Sequence, residues 1–237
     1  LLFSGGMDSY MASYLLGPEY QLHYFDIGSR YSAKEVDNLL RFTPITIDCQ
    51  VLHMGHLEQA DGFVPQRNPL LITMAQTYHN AGEVALCGVR GEFSRDKHPK
   101  FYRQMSELLS YTAGKPVRVF SPFEKLTKTQ AVKLFLRRGG SADGLLETIS
   151  CYSATERACG RCMSCFRRWV ALENNGLADR ESWWKNPWEF KHPPASNLRK
   201  LPVAMYWDFA LAQKDVATAY YRLWRRTGYR PGMELIK

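Results

Sequence analysis

Ser4-Gly5-Gly6-Met7-Asp8-Ser9 lies between an apolar run, Leu1-Leu2-Phe3, and a helix-forming segment from Tyr10 to Leu16. Two adjacent glycines leave no Cβ to keep backbone N–H groups away from a bound anion. The helix start adds donors that lack intrahelical partners, together with the positive end of the helix dipole. Ser4 and Ser9 bring hydroxyls, and Asp8 can either cap the helix or help hold a Mg²⁺ ion. Strand, glycine turn and helix in this order predict a phosphate site. An ordinary N-capped helix behind a buried strand would not call for so many specified positions.

Cys151, Cys159, Cys162 and Cys165 form the second constellation. Two-residue spacers let a knuckle turn present neighbouring thiolates to one tetrahedral ion, and four sulfurs leave no position open for water. The expectation is a structural Zn²⁺ site rather than disulfides, in a reducing compartment and thus in the cytoplasm. Cys49 and Cys87 stand singly in apolar runs and read as small buried hydrophobes.

Several single residues carry weaker signals. Arg67-Asn68 opens a predicted helix, where Arg67 offers a planar fork for phosphate or carboxylate. A solvated arginine with Asn68 as N-cap is the competing reading. Lys128 falls in the first turn of a helix capped by Thr127, against the dipole, which suggests a nearby anion. The loop 90–100 is the most basic stretch before the cysteines.

The elements that must position these groups follow a strand–helix alternation, with strands read at 20–26, 45–48, 83–87 and 117–120. Such an order implies right-handed crossovers and a parallel sheet, with ligands outside the carboxyl ends of the strands. The 237 residues predict an α/β domain over 1–145, a zinc-binding segment over 146–176 and a helical extension over 177–237. In that extension Pro193-Pro194 breaks any helix. Tyr206, Phe209, Val216, Tyr220 and Leu223 then mark an amphipathic one, read either as packing on the first domain or as a partner-docking surface. A net charge of +8 favours polyanionic partners without choosing among them. No apolar run reaches the length of a membrane span and no signal peptide is visible. The chain opens without Met, so its natural start is expected upstream.

The opening turn resembles the PP-loop of the N-type ATP pyrophosphatases, which have a HUP-like, doubly wound parallel sheet and cut ATP between the α and β phosphates. On that resemblance Ser4, Gly5, Gly6, Asp8 and Ser9 would hold the pyrophosphate part of ATP, with Asp8 also at Mg²⁺. The backbone of Phe25, Asp26 and Ile27 would read the adenine. Phe63-Val64-Pro65-x-Arg67-Asn68, Cys87-Gly88-Val89, Ser121-Pro122 with Lys128, and the four cysteines occur in one order with that turn. Together they are similar to the 7-cyano-7-deazaguanine synthase (QueC) family.

The resemblance implies a zinc-containing homodimer that adenylates 7-carboxy-7-deazaguanine, aminates it to an amide and dehydrates the amide to a nitrile. Arg67, Gly88 and Lys128 would lie on ATP phosphates or the substrate carboxylate. Three departures stand out. The family's Asp-x-Gly-Gln-x-His is here Asp26-Ile27-Gly28-Ser29-Arg30-Tyr31, and the glycine of its Val-Pro-Gly-Arg-Asn is Gln66. Its Asp-x-Ser-Gly-Tyr-Pro-Asp-Cys-Arg loop is replaced by residues 92–99. QueC-like proteins also occur in bacterial anti-phage (CBASS) operons, where the activated acyl group could meet a protein amine through the 90–100 loop and the C-terminal extension. A zinc knuckle with Arg161, Arg167 and Arg168 would also suit nucleic-acid binding. The lack of extra catalytic cysteines or an evident RNA-binding domain disfavours that reading.

Overall fold

The apolar run at the start of the chain is hydrogen-bonded to a strand on either side. Phe3 N–H donates to the His23 carbonyl (2.8 Å), His23 N–H to Leu1 (2.9 Å) and Leu2 N–H to Ala85 (3.0 Å). In this computed structural model, residues 1–42, 46–60, 63–92, 94–153, 158–190 and 203–229 are described, and for 203–209 the backbone alone. The predicted first strand is reduced to a single parallel bridge, Leu2 to His23. Beside it β1 (Leu22–Asp26) pairs in parallel with β2 (Ile47–Val51), placing Leu22 opposite Ile47 and Asp26 opposite Val51. On the other side β3 (Glu83–Ala85) pairs in parallel with β4 (Arg118–Phe120).

Strand side chains alternate in direction, and here the alternation divides two cores. Tyr24, Ala85 and Phe120 enter one with helices α1 (Met7–Leu16), α5 (Lys128–Arg137) and α7 (Met163–Asn174). Phe25, Val84 and Val119 enter the other with α3 (Arg67–His79) and α4 (Pro99–Ala113). Helix α2 (Ser32–Leu39) adds Leu39 to the first core, and α6 (Ala142–Glu147) adds Leu145. The result is an α/β chain with parallel strands.

Local signals set the helix starts that matter for the site. Thr127 caps α5, as the sequence predicts, and Gln130 completes a reciprocal capping box with it. The start of α3 moves upstream of the expected Leu70: Gln66 precedes it at φ 55°, and Asn68 lies inside the helix rather than capping it.

Helix α8 (Val203–Thr227) packs on α7, with Ala219 and Leu223 fully buried in the first core. Tyr220 donates to the Trp188 carbonyl (2.7 Å), and its ring lies 5.2 Å from that of Trp169. Residues from all three segments drawn from the sequence therefore share a core. Pro193, Pro194 and the side chains of Tyr206 and Phe209 lie outside the described residues. Cys49 corrects its expectation: strand β2 is an outer member of its pair, and the thiol is exposed. Among the described residues no helix is long and apolar enough to cross a membrane.

Candidate active site

A cleft opens where α1 begins, walled also by the starts of α3 and α5, by residues 149–152 and by α7. Gly5 takes φ +67°, and a Cβ there would stand 2.7 Å from the Asn38 amide, whose Nδ2 donates to the Gly5 carbonyl (2.7 Å). Glycine is therefore required twice over, by conformation and by space. Gly6 is different: its φ of −76° suits any residue, and an added Cβ would meet nothing nearer than 3.4 Å. Ser9 Oγ closes the turn by donating to the Gly6 carbonyl (3.0 Å) and accepting from Ser4 N–H (3.3 Å). The N-cap residue, Gly6, has no side chain to cap α1, and the positive end of the helix faces the cleft.

Asp8 does not serve as that cap. Both its oxygens accept from Lys128 Nζ, at 2.7 and 2.6 Å. Lys128 thus has the anion that its place at the start of α5 called for, and the anion is a residue of this chain. Burial pulls the ammonium below its usual range, and the Asp8 carboxylate pulls the other way.

Deeper in the same cleft, Glu92 accepts from Arg167 Nη1 (2.7 Å) and lies 3.2 Å from Lys97 Nζ. Burial alone would raise the Glu92 carboxyl, but Lys97, Arg167 and Lys128 outweigh it and hold it down to about 2. Glu92 in turn pushes Lys97 up to about 12. Arg67, from the first turn of α3, donates to Tyr31 Oη (2.8 Å). Glu35 lies nearby and accepts from Tyr24 Oη (3.0 Å). Burial raises its carboxyl to about 7 against the hydrogen bond from Tyr24 and the charge of Arg67. Arg67, Lys97, Lys128 and Arg167 face Asp8 and Glu92, a surplus of two positive charges before Glu35 ionises. Such a cleft is matched to a polyanion.

The structure brings Ser4, Gly6, Asp8, Ser9, Phe25, Ile27, Arg67 and Lys128 together as walls of this cleft. Gly5, Asp26 and Gly88 are not among its walls. Asp26 Oδ1 instead accepts from Gly28 N–H (2.8 Å), while the Asp26 and Ile27 carbonyls accept from Leu52 and Met54 N–H (2.6 and 3.2 Å). Gly88 is occupied within the fold: its N–H donates to Leu86 (3.0 Å) and its carbonyl accepts from Ser121 Oγ (2.6 Å). A Cβ at Gly88 would stand 2.2 Å from Tyr102 Oη, so close packing accounts for this glycine. The sequence signals no individual site role for Glu35, Glu92 or Lys97, although the 90–100 loop reads as a possible acceptor surface, and it offers Arg167 only for the disfavoured nucleic-acid reading. Arg167 lies two residues past the last cysteine, and that spacing was its one available signal. Arg168 is buried against Glu181 (2.8 Å), so only Arg161 of the supposed basic patch is exposed.

The four cysteine sulfurs lie within 4.8 Å of one another. Cys159 Sγ and Cys165 Sγ are 3.9 Å apart. Tetrahedral zinc at ~2.3 Å from each sulfur would set them ~3.8 Å apart, so the residues fit that ion. Backbone N–H groups of Ser153 and Cys159 point at Cys151 Sγ, Arg161 N–H at Cys159 Sγ and Cys165 N–H at Cys162 Sγ, each at 3.4 Å. Such donors favour thiolates. Next to the cluster, Ser150 Oγ accepts from Met7 N–H (3.2 Å), so the knuckle abuts the glycine turn directly.

Residues 42–176 match the family model described as "Queuosine biosynthesis protein QueC". The chain belongs to the QueC family. One QueC relative, the 7-cyano-7-deazaguanine synthase of Hahella chejuensis, is 31% identical over 75% of this chain and 89% of its own length. Proteins of the same name from Alteromonas mediterranea and Psychromonas ingrahamii are 27% and 29% identical over 76% of this chain. Tyr31, in the stretch 26–31 at the end of β1, accepts the hydrogen bond from Arg67. Gln66 has a left-handed backbone, a conformation that suits glycine best. Segment 92–99 supplies Glu92 and Lys97 to the cleft.

Proposed function

We propose that this QueC-family protein is an ATP-dependent ligase that activates the carboxylate of 7-carboxy-7-deazaguanine by adenylation and transfers the acyl group to an amine. The observation that carries this reading is the Asp8–Lys128 pair at the mouth of the glycine turn, inside a cleft with surplus positive charge. On the same reading the seam at Leu1–Phe3 joins the two strand pairs into one doubly wound PP-loop sheet.

A carboxylate is inert to amines because its oxygen is a poor leaving group. In the proposed reaction the acid oxygen attacks the α-phosphorus of ATP, the bond to the bridging α–β oxygen breaks, and pyrophosphate departs. The amine nitrogen then attacks the acyl carbon, the C–O bond to AMP breaks, and the nitrogen loses a proton. With ammonia the product is an amide, and a second adenylation, on the amide oxygen, would allow dehydration to the nitrile. Ser4, Gly5, Gly6 and Ser9 would hold the pyrophosphate part. Lys128 and Arg67 would meet negative charge as it develops on phosphate or carboxylate, where fixed cations stabilise the transition state most. Asp8 is the carboxylate suited to Mg²⁺, which would neutralise phosphate charge. Phe25 and Ile27 flank the space for a ring, with adenine contact proposed through their backbone. The zinc would be structural, holding Ser150 and Arg167 at the cleft.

A second reading concerns the acceptor. Glu92 and Lys97 come from the rewritten segment and occupy the cleft as an ion pair with Arg167, which favours an acceptor other than ammonia. A protein amine, as in an anti-phage conjugation system, is the candidate. The zinc-loaded protein should be incubated with ATP, Mg²⁺, 7-carboxy-7-deazaguanine and either ammonium or candidate proteins. Acid-dependent release of pyrophosphate and AMP is expected, followed by nitrile or by a mass addition on protein. Failure to release pyrophosphate with the acid present overturns the ligase reading. Nitrile formation at an ordinary enzymatic rate removes the protein-acceptor reading.

A further inference from the structure

Outside the cysteine cluster, His23, Asp48 and His79 bring one ligand atom each to within 4.8 Å of one another. They come from three elements. His23 lies on β1, Asp48 is its register partner on β2, and His79 ends α3. His23 Nδ1 and His79 Nε2 are 2.7 Å apart, and His79 Nε2 is 3.9 Å from Asp48 Oδ2. We propose that these three side chains form a second metal site, for a borderline divalent ion such as zinc, separate from the four-cysteine site.

Tetrahedral geometry supports this with little movement. Ligand nitrogens and oxygens ~2.0–2.1 Å from zinc lie ~3.3 Å from each other, between the two distances observed. The imidazoles need to part by about 0.6 Å and the carboxylate needs to close by about as much. Two imidazoles and one carboxylate suit zinc, cobalt, nickel or copper rather than magnesium or calcium, which prefer all-oxygen sets.

The surroundings hold the ligands in place. Gln21 donates its amide to Asp48 Oδ2, the kind of second contact that orients a ligating carboxylate. His23 is 2% exposed, with Phe25 at 4.2 Å and Tyr78 at 6.0 Å between ring centres. Its other nitrogen, Nε2, is buried and has no partner among the described residues, so the ring directs its polar contact through Nδ1 alone.

Asp48 and His79 are partly open to solvent, so the site is reachable and a fourth position remains for water. An ion there ties the last turn of α3 to β1 and β2. The first residue of the same helix is Arg67, which the cleft uses.

The test is a count of metal in protein whose four-cysteine site is already filled. Zinc-loaded wild-type chain is titrated with Co²⁺ or Zn²⁺ by calorimetry, desalted and assayed for metal. The wild type should take a second equivalent, and the visible spectrum of its Co²⁺ form should lack sulfur-to-metal charge transfer. His79→Ala and Asp48→Asn should each weaken that second equivalent by about tenfold or more while the first is kept. Asp48→Asn is nearly isosteric, so a folding defect at His79 cannot imitate the result. A wild type that takes no second equivalent, or a second equivalent unchanged in both variants, overturns the proposal.

Discussion

Lys128 and Asp8, 120 residues apart, meet through both carboxylate oxygens at 2.7 and 2.6 Å. Each opens a helix, Asp8 in the first turn of α1 and Lys128 at the first position of α5. Near a helix start the dipole favours the carboxylate and opposes the ammonium. The pair lets α5 keep a cation at its positive end, beside the glycine turn.

Replacing Lys128 by Met should therefore lower acid-dependent pyrophosphate release by about 10²-fold or more, the loss expected when a preorganised charge is removed from a transferring phosphate. The assay is single-turnover pyrophosphate release, with circular dichroism to confirm the fold. Retention of more than a third of wild-type turnover would remove Lys128 from the mechanism. Asp8→Asn should do comparable harm while also leaving Lys128 without its counter-ion.

Gln66 offers a prediction in the stabilising direction. Its φ of 55° at the start of α3 is a left-handed conformation that a side chain with a Cβ resists, and it is solvent-exposed. Gln66→Gly should raise the unfolding free energy by about 0.5–1 kcal/mol, the relief of strain exceeding the added freedom of the unfolded chain. Urea denaturation measures this. A loss of stability would mean that the Gln66 side chain makes a contact worth more than the strain.

Glu35 should leave a signature in the pH dependence of stability. Its carboxyl is raised from 4.5 to about 7, by burial first. Between those values the native state holds a proton that the unfolded chain has released, so stability falls as pH rises through that window. Above about pH 7 both states are ionised and the loss stays constant. Glu35→Gln should flatten the slope and make the protein more stable than wild type at pH 8, by about 1–2 kcal/mol after allowance for partial exposure. Chemical denaturation at pH 5 and pH 8 checks the sign. An equal effect at both pH values would show that the carboxyl ionises normally.

The glycine turn, the four cysteines and the cap of α5 were legible because each depends on neighbouring residues. Turn conformation, knuckle spacing and a capping box are local properties, and local chemistry fixes them. Asp8–Lys128 was half legible: the misplaced lysine announced an anion, but nothing in the sequence said which. Glu92, Lys97 and Arg167 were not legible as a group. Their pairing depends on how the segment after β3 folds against α7, across 75 residues between Glu92 and Arg167. The packing around Gly88 was not legible either. A glycine after a strand resembles a phosphate contact, yet here the space it leaves is filled by Tyr102. Cys49 was misjudged because an apolar neighbourhood does not reveal that a strand is the outer one of its pair.

The C-terminal extension meets the four-cysteine knuckle at Gly160. Gly160, between Cys159 and Cys162, has φ +66°, and a Cβ there would fall 1.5 Å from the Lys185 carbonyl oxygen. Backbone has no flexible end to move aside. Gly160→Ala must therefore displace the 184–185 segment, which Trp184 N–H fastens to the Ala158 carbonyl at 3.0 Å. A strained left-handed alanine adds about 1 kcal/mol or more to the cost. The variant should melt several degrees lower and surrender zinc to a chelator faster than wild type. Thermal unfolding and the rate of zinc transfer to a colorimetric chelator measure both effects. Because Ser150 lies beside the same knuckle and accepts from Met7 N–H, the weakened site should also raise the KM for ATP. Unchanged chelation kinetics in Gly160→Ala would mean that the extension rests on the knuckle without bracing it.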